Sequence, residues 1–278
     1  MLHAVTDTLI LSEFDSNFEE NNSMSTSIAE RHQYILNKLR EHGHVTVGDL
    51  SKDLKVSAVT IRKDLKYMEE RKLLFRTHGS ATPNNPYIND RPVNEKEKIR
   101  VSQKQKIARY AAGLIQPKDS IILASGTTII ELARQIKAEE QLTVVTASLN
   151  TSLLLSMYPL VDIIQLGGQV RKSSSSIVGN YAEMLLGNFS CSKLFLGVDG
   201  IDPGFGFTTT NSMEATLNQK MINAAQRVIV LADSTKFGRR GFSRICGMAE
   251  VDMVITDNEV TASFVESMEE SGIELIIC

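Results

Sequence analysis

Cysteine is scarce and odd in number: Cys191, Cys246 and Cys278 are the only three in 278 residues. Scattered in this way they give no disulfide framework and fit reduced thiols in a cytosol. No apolar run approaches the ~20 residues that cross a bilayer. Thr8-Leu9-Ile10-Leu11 is short and is followed by acids with no basic flank, which is not a secretory signal. A cytoplasmic protein with no membrane partner is therefore expected. Histidine stops at His78. No Cys/His ligand spacing occurs, and a metal site beyond that point would rest on carboxylates alone, so neither a metal nor a cofactor is expected. Neither Gly-x-x-x-x-Gly-Lys-Ser/Thr nor Gly-x-Gly-x-x-Gly is present, which sets aside P-loop and dinucleotide proteins.

What charge there is lies unevenly. The whole chain carries 30 Lys+Arg against 33 Asp+Glu. Between Ser27 and Thr82 there are 11 Lys+Arg against 7 Asp+Glu, a local net of +4. Residues 1–26 hold five acids and no cation, and the remainder is about neutral. A basic module on an acidic protein is the footprint of phosphate contacts; the plainer alternative is a solvated charged helix face. Met24 directly precedes the basic module. Either it is the natural start, or the acidic stretch is a disordered tail.

Val45 to His78 reads as a strand end, two helices and a wing. Thr46-Val47-Gly48-Asp49 is a helix start, with a hydroxyl at the N-cap and an acid three residues on. Leu50 and Leu54 bury one face of a short helix. Lys55-Val56 turns the chain, and Ser57 caps a second helix. Val59, Ile61, Leu65 and Met68 are its expected inward positions. Thr60, Arg62, Lys63 and Lys66 are then free to face outward. Two adjacent cations beside a hydroxyl near the start of a short second helix suit entry into the DNA major groove. Leu73 to His78 alternates weakly and stops at Gly79, which suits a β-wing carrying Arg76 and His78.

These motifs carry a resemblance. Ala29-Glu30-Arg31-His32-Gln33-x-Ile35, Val56-Ser57-x-x-Thr60-Ile61-Arg62-Lys63-Asp64-Leu65 and Arg76-x-His78-Gly79 resemble the DeoR family of bacterial transcriptional regulators, over residues 27–278. Two departures show. The family usually has a second Arg at Lys63 and a second Gly at Ser80; a Lys keeps the charge but loses the bidentate fork. The resemblance implies double-stranded operator DNA as a partner, with Ser57, Thr60, Arg62, Lys63, Lys66, Arg76 and His78 at the contact.

Beyond the wing, Pro83-Asn84-Asn85-Pro86 reads as a linker. A helix is expected from about 95 to 115, with Ile99, Lys106, Ile107, Tyr110, Ala111 and Leu114 as its stripe. Six apolar runs follow: 121–124, 143–145, 163–166, 194–196, 228–231 and 253–255. Each ends in small, hydroxylated or acidic residues, and helical stretches separate most of them. That pattern indicates an α/β domain with a mainly parallel sheet. The expected organisation is an acidic tail over 1–26, a winged helix-turn-helix domain over 27–82, a linker over 83–94 and an α/β sensing domain over 95–278.

Ligands of such sheets bind beyond the carboxyl ends of the strands. Ser125-Gly126-Thr127-Thr128 opens a helix there, offering backbone N–H groups and a dipole to a phosphate. Lys236 adds a cation at another strand end, and Asp199, Asp202 and Glu214 can accept from sugar hydroxyls. The plainer alternative is that Asp199 and Asp233 are only turn and cap residues, but phosphate donors and hydroxyl acceptors co-occur at one sheet edge, which favours a ligand. Arg171 and Lys172, after Gly167-Gly168, read as phosphate contacts or as surface cations. The DeoR resemblance implies an effector domain similar in fold to ribose-5-phosphate isomerase, with a phosphorylated sugar as ligand. On that likeness Ser125 to Thr128 match the phosphate loop, Asp199 and Glu214 match acid positions, and Asp233-Ser234-x-Lys236 matches a sugar-phosphate lysine motif. The expected ligand set is Ser125, Gly126, Thr127, Thr128, Gly168, Arg171, Asp199, Glu214, Asp233 and Lys236. Leu196 stands where the isomerases have an Asp, and residues 200–219 contain no Lys or Arg.

Two function classes follow. The first is a repressor of a sugar-catabolism operon, released by a phosphorylated sugar and not an enzyme. The second is a sugar-phosphate enzyme with an appended DNA-binding module. Gly197-Val198-Asp199-Gly200-Ile201-Asp202 and Asn211-x-x-Glu214-Ala215-x-Leu217-Asn218 look most like the subgroup tied to N-acetylgalactosamine and related amino sugars, although many relatives carry Lys at the Asn218 position. One module on one half-site binds weakly, so a homodimer or homotetramer is expected.

Overall fold

The computed structural model describes residues 27–42, 45–71, 73–77, 79–82 and 90–278. The acidic stretch 1–26, the wing residue His78 and the linker core 83–89 lie outside the described residues.

The first unit runs α1 (Ile28–His42), β1 (Val45–Thr46), α2 (Val47–Asp53), α3 (Ala58–Glu70), β2 (Phe75–Thr77) and β3 (Ser80–Thr82). Its helix starts follow local chemistry. Ser27 and Glu30 close a capping box on α1, with N to Oε2 at 2.8 Å and N to Oγ at 3.2 Å. Thr46 caps α2 by accepting from the Asp49 N–H, and Ser57 caps α3 by accepting from the Thr60 N–H. Lys55, at φ 50°, makes the turn between them. Gly79, at φ 79°, makes the wing tip, a conformation that costs a side-chain-bearing residue free energy. The three strands form one antiparallel sheet in the order β1-β3-β2, so the strand before α2 joins the wing.

Ile35, Leu39, Leu50, Ile61, Leu65, Met68 and Leu74 fill the core of this unit. Val59 does not, and is 58% exposed. The helix begins at Ala58, and its buried stripe is Ile61, Asp64, Leu65 and Met68, spaced i, i+3, i+4, i+7. Val59 lies two residues, about 200°, before that stripe. Asp64 is the unexpected member. It accepts from Arg31 Nε at 2.8 Å and Nη2 at 3.0 Å, and His32 Nε2 lies 3.3 Å away. This pin ties α3 to α1.

The second unit opens with α4 (Val93–Lys96), α5 (Val101–Ala112), β4 (Ser120–Leu123), α6 (Thr127–Gln135), β5 (Leu142–Thr146), α7 (Leu149–Leu155) and β6 (Val161–Gln165). It continues with β7 (Gln169–Arg171), β8 (Ser176–Val178), α8 (Asn180–Leu186), β9 (Lys193–Gly197), β10 (Gly200–Asp202), β11 (Gly206–Thr209) and α9 (Ser212–Asn223). Last come β12 (Val228–Leu231), β13 (Ser243–Cys246), β14 (Met253–Thr256), α10 (Ala262–Glu270) and β15 (Glu274–Ile277). Seven strands form one sheet in the order β15-β14-β12-β9-β4-β5-β6, every pair parallel. Alternate residues feed two cores, as strand geometry requires. Ile121, Leu123, Phe195, Ile229 and Ile255 pack on the face that α5 and α6 share. Ile122, Leu194, Leu196, Val230 and Val254 pack on the other. A β7-β8 hairpin and an antiparallel β10-β11-β13 sheet are added to this framework.

All six expected strands are present, and the seventh, β15, is an edge strand whose burial is only partial. The single helix expected over 95–115 is two. Arg100, at φ 54°, breaks it, and only α5 continues. That strained backbone is held by Arg100 side-chain contacts to Asp257 Oδ1 at 3.0 Å, Glu259 Oε2 at 2.9 Å and Ser234 Oγ at 3.1 Å. The buried stripe of α5 is Lys104, Ile107, Ala108 and Ala111, while Tyr110 is 42% exposed and Ile99 44%.

Candidate functional site

Strand order fixes where a ligand can enter. From β4 the chain winds outward to β5 and β6; from β9 it winds the opposite way to β12, β14 and β15. The crevice at the carboxyl ends of β4 and β9 is therefore the topological switch point. The two backbones approach closely there, and a Cβ on Gly197 would meet the Ser125 carbonyl at 3.0 Å. A cleft of about 350 Å³ opens at this point. That is the size of a small-molecule site.

On one side the cleft is bounded by Ser125-Gly126-Thr127-Thr128. Gly126, at φ 124°, is the N-cap of α6, and no side chain caps the helix. The first N–H groups of α6 are thus left to a ligand or water, at the positive end of the dipole. Lys236, after β12, also lines the cleft, on a 3₁₀ turn capped by Asp233, which accepts from the Thr235 N–H at 3.1 Å. Asp233 is thus both a cap and a wall residue.

Across the cleft lie two acids, Glu214, which is buried, and Asp199, which is half-buried. Asp199 accepts from Lys96 Nζ at 2.8 Å, Thr209 Oγ1 at 3.1 Å and the Thr210 N–H at 3.3 Å. Burial alone would raise its carboxyl, but the charges of Lys96 and Lys236 and the bonds from Lys96 and Thr209 hold it below the usual carboxylate range. Glu214 stands in the first turn of α9, whose N-cap Asn211 accepts from the Glu214 N–H. Its carboxylate faces Arg171 Nη1 and Ser176 Oγ, each at 3.3 Å. Arg171 also donates to Ser174 Oγ at 3.0 Å and pairs with Asp90. Burial works against the Asp90 carboxylate, but the Arg171 bond and charge bring it below its ordinary value.

Nine of the ten expected ligand residues line this one cleft; Gly168 does not. Gly168 is needed sterically instead: at φ 151°, a Cβ there would meet the Val178 carbonyl at 2.9 Å and the Ile177 side chain at 3.0 Å. Asp202, named with Asp199 and Glu214 as an acceptor for sugar hydroxyls, does not line the cleft either; Arg240 grips it at 2.7 and 2.9 Å. Lys172 is exposed and off the cleft, whereas Arg171 is in it. The cations missing from residues 200–219 come from elsewhere: Arg91, Lys96, Lys104 and Arg239 all reach the wall. Of these only Lys104 had a sequence signal, a lysine in register with Ile107, Ala108 and Ala111. Asn218, buried at 6%, completes the acid side. Among the described residues no group of three or more His, Cys, Asp and Glu could hold a metal ion.

In the first unit, Arg62, Lys63 and Lys66 are exposed on α3, with Thr60 and its cap Ser57 at the helix start. Oγ of Ser57 and Oγ1 of Thr60 lie 2.9 Å apart. Arg76 is already engaged: its Nη1 lies 3.6 Å from Glu69 Oε2, and its N–H donates to Glu69 Oε1. Tyr67 bridges elements, with its ring 5.1 Å from the His32 ring and the Arg71 guanidinium 3.6 Å above it.

A winged helix-turn-helix unit, followed by a doubly covered parallel sheet with a polar cleft at its switch point, defines the class of ligand-responsive transcriptional regulators. Within that class the chain belongs to the DeoR family: the DeoR-like helix-turn-helix domain matches residues 31–86 and the DeoR C terminal sensor domain matches residues 99–258. It is 36% identical to a candidate aga operon transcriptional repressor of Escherichia coli O157:H7, over 91% of this chain and 94% of that one. It is 32% identical to the transcriptional repressor GlcR of Bacillus subtilis, over 89% and 95% of the two chains. The fold is also similar to that of ribose 5-phosphate isomerase A from Methanocaldococcus jannaschii, at 16% identity and a TM-score of 0.36, over 52% of this chain and 55% of that one. Among the described residues no helix is long and apolar enough to cross a membrane.

Proposed function

We propose that this regulator represses a sugar or amino-sugar catabolism operon in the cytoplasm and leaves its operator when a phosphorylated sugar fills the cleft at the β4/β9 switch point. The observation that carries the reading is the cleft's polarity. An uncapped helix N-terminus with Lys236 faces two carboxylates, the half-buried Asp199 and the buried Glu214, across a space of sugar-phosphate size. Phosphate suits the first side and hydroxyls the second. The aga operon named for one relative supports an amino-sugar ligand. Ser57, Thr60, Arg62, Lys63 and Lys66 form the DNA contact, aided by the wing through Arg76 and His78, and at least two copies of the chain act together on the operator.

The regulator binds its ligand without converting it. Glu214 is occupied by Arg171, Ser176 and Thr209, and Asp199 by Lys96, so each acts as a fixed acceptor and neither as a free base. The test is a thermal-shift comparison of sugar phosphates with their free sugars, followed by promoter binding with the best ligand. Stabilisation and DNA release by the phosphate ester alone support the reading. Equal action of the free sugar removes the phosphate role. Conversion of the ligand at enzyme-like rates, abolished by Glu214→Gln, moves the chain into the enzyme class.

A further inference from the structure

The segment that leads from the DNA-binding unit into the sensing domain is fastened to the cleft. Asp90 pairs with Arg171, accepts from Ser173 Oγ at 3.2 Å and faces Thr210 Oγ1 at 3.2 Å. The Val93 N–H donates to the Ser173 carbonyl at 2.7 Å, and Lys96 Nζ donates to Asp199 at 2.8 Å. Most of these contacts end on the cleft itself: Arg171, Ser173 and Asp199 line the cavity, and Arg171 also donates to Glu214 at 3.3 Å. Arg91, Val93 and Lys96 in turn form part of the wall. Residues 90–96 are thus a strap laid across the cleft, although most of them fall in the expected linker.

The other end of that linker meets a second wall of the same cleft. The wing strand β3 ends at Thr82, which is buried. A Cβ on Gly238 would meet Thr82 Cγ2 at 4.0 Å. Gly238 follows Lys236 by two residues, and its N–H donates to the Ile201 carbonyl at 2.8 Å. Only residues 83–89 separate Thr82 from Asp90. The wing and the strap are therefore fastened to two walls of one cleft, and a movement of the strap moves the tether of the DNA-binding unit.

We propose that the 90–96 strap closes the cleft over its ligand and that its docked position opposes operator binding. The inference rests on the sugar-phosphate reading and adds to it the part that moves. Its sign follows from linkage. With the strap docked the cavity measures about 350 Å³, and the strap supplies Arg91, Val93 and Lys96 to its wall. A ligand gains contacts in the docked form that the undocked form lacks, and only such a difference lets it shift the equilibrium. Where filling the cleft releases DNA, the operator must favour the undocked strap through the same coupling. Asp90 is the place to cut the strap. Its side chain is 40% exposed and stands outside the cavity wall, so removing it loosens the strap without deleting a ligand contact.

Hydrogen exchange in the full chain reads the strap without any variant. Operator DNA alone should speed exchange at the Val93–Lys96 amides, and N-acetylgalactosamine 6-phosphate should slow it. Unchanged or slower exchange with operator overturns the inference. Asp90→Ala should weaken binding of the sugar phosphate by up to about tenfold, the worth of a part-exposed charged hydrogen bond. Operator affinity should hold or rise, so that release takes more ligand. Wild-type ligand affinity in Asp90→Ala, or weaker operator binding at an unchanged melting temperature, overturns the inference as well. Thr210→Val removes the hydroxyl that faces Asp90 and keeps its shape; it should act in the same direction, and it decides the matter if Asp90→Ala does not fold. Glucose 6-phosphate forms a second ligand arm. If neither ester binds the wild type, the proposed function falls and the ligand half of the inference with it, while the operator arm still decides whether the strap moves. If an ester binds and releases DNA with exchange at the strap unchanged throughout, the inference falls and the proposed function stands.

Discussion

Asp64 sits in the middle of the helix that carries the outward cations, and it would be natural to give it a DNA contact. Its geometry gives it a different part. Its side chain is 9% exposed and that of Arg31 11%, and the two are joined by a bidentate pair at 2.8 and 3.0 Å. Asp64→Asn keeps the shape and removes the charge that pairs with the Arg31 guanidinium. Breaking one side of a buried pair typically costs about 3–5 kcal/mol. A unit of roughly 60 residues has little more than that in total stability. The first unit should therefore melt separately from the second in calorimetry, at a lower temperature than in the wild type, and DNA affinity should fall in step with its unfolding. Cooling, or a molar excess of operator DNA, should restore binding by mass action. Replacing both partners with apolar residues, Arg31→Met with Asp64→Leu, should recover much of the stability. If Asp64→Asn lost operator affinity with an unchanged melting transition, the pin would be the wrong account and Asp64 would belong to the DNA face.

Other outcomes follow from the same geometry. Arg62→Ala should cost about 1–3 kcal/mol at the operator if it reads a base, whereas Lys63→Ala and Lys66→Ala should weaken all sequences alike and flatten the salt slope; unchanged affinity in the Arg62 and Lys63 variants would remove α3 from the interface. Lys236→Ala should keep DNA binding and lose the effector response, read as promoter release by the best sugar phosphate. Gly126→Ala places a side chain at φ 124°, so it should weaken that response by distorting the start of α6 while leaving DNA affinity intact. The Asp199 carboxylate is held low by Lys96 and Lys236, so it contributes stability above the unfolded value and loses it only as pH falls through the lower folded one. Asp199→Asn should accordingly flatten the acid limb of the second unit's melting profile.

Much of this was legible because the fold announces itself through local rules. Short apolar runs ending in Gly, Ser, Thr and Asp placed six of the seven strands, since a parallel sheet buries both faces and needs continuous apolar runs. β15 escaped because an edge strand buries little, and Glu274 opens it. The caps at Thr46 and Ser57 were readable because capping depends on a hydroxyl three residues from its N–H. Val59 was misassigned because a phase error at a helix start moves a residue to the opposite face. The break at Arg100 left no composition signal, as it rests on acids more than 130 residues away, Asp257 and Glu259. The same holds in the cleft. Groups at strand ends could be named from the sequence, but Lys96 and Arg91 arrive from a segment ahead of the sheet, and only three-dimensional packing brings them to Asp199 and the wall.

The central claim is that one cleft couples a phosphorylated sugar to operator release. Fluorescence anisotropy of the native promoter with the full-length protein tests it most directly, titrating phosphorylated sugars and their unphosphorylated counterparts in parallel. The account predicts that a sugar phosphate dissociates the complex, that its free sugar does not, and that DNA weakens ligand binding by the same factor, as linkage requires. Release by the free sugar at equal concentration, or a protein that binds the phosphate tightly with no change in DNA affinity, would contradict it.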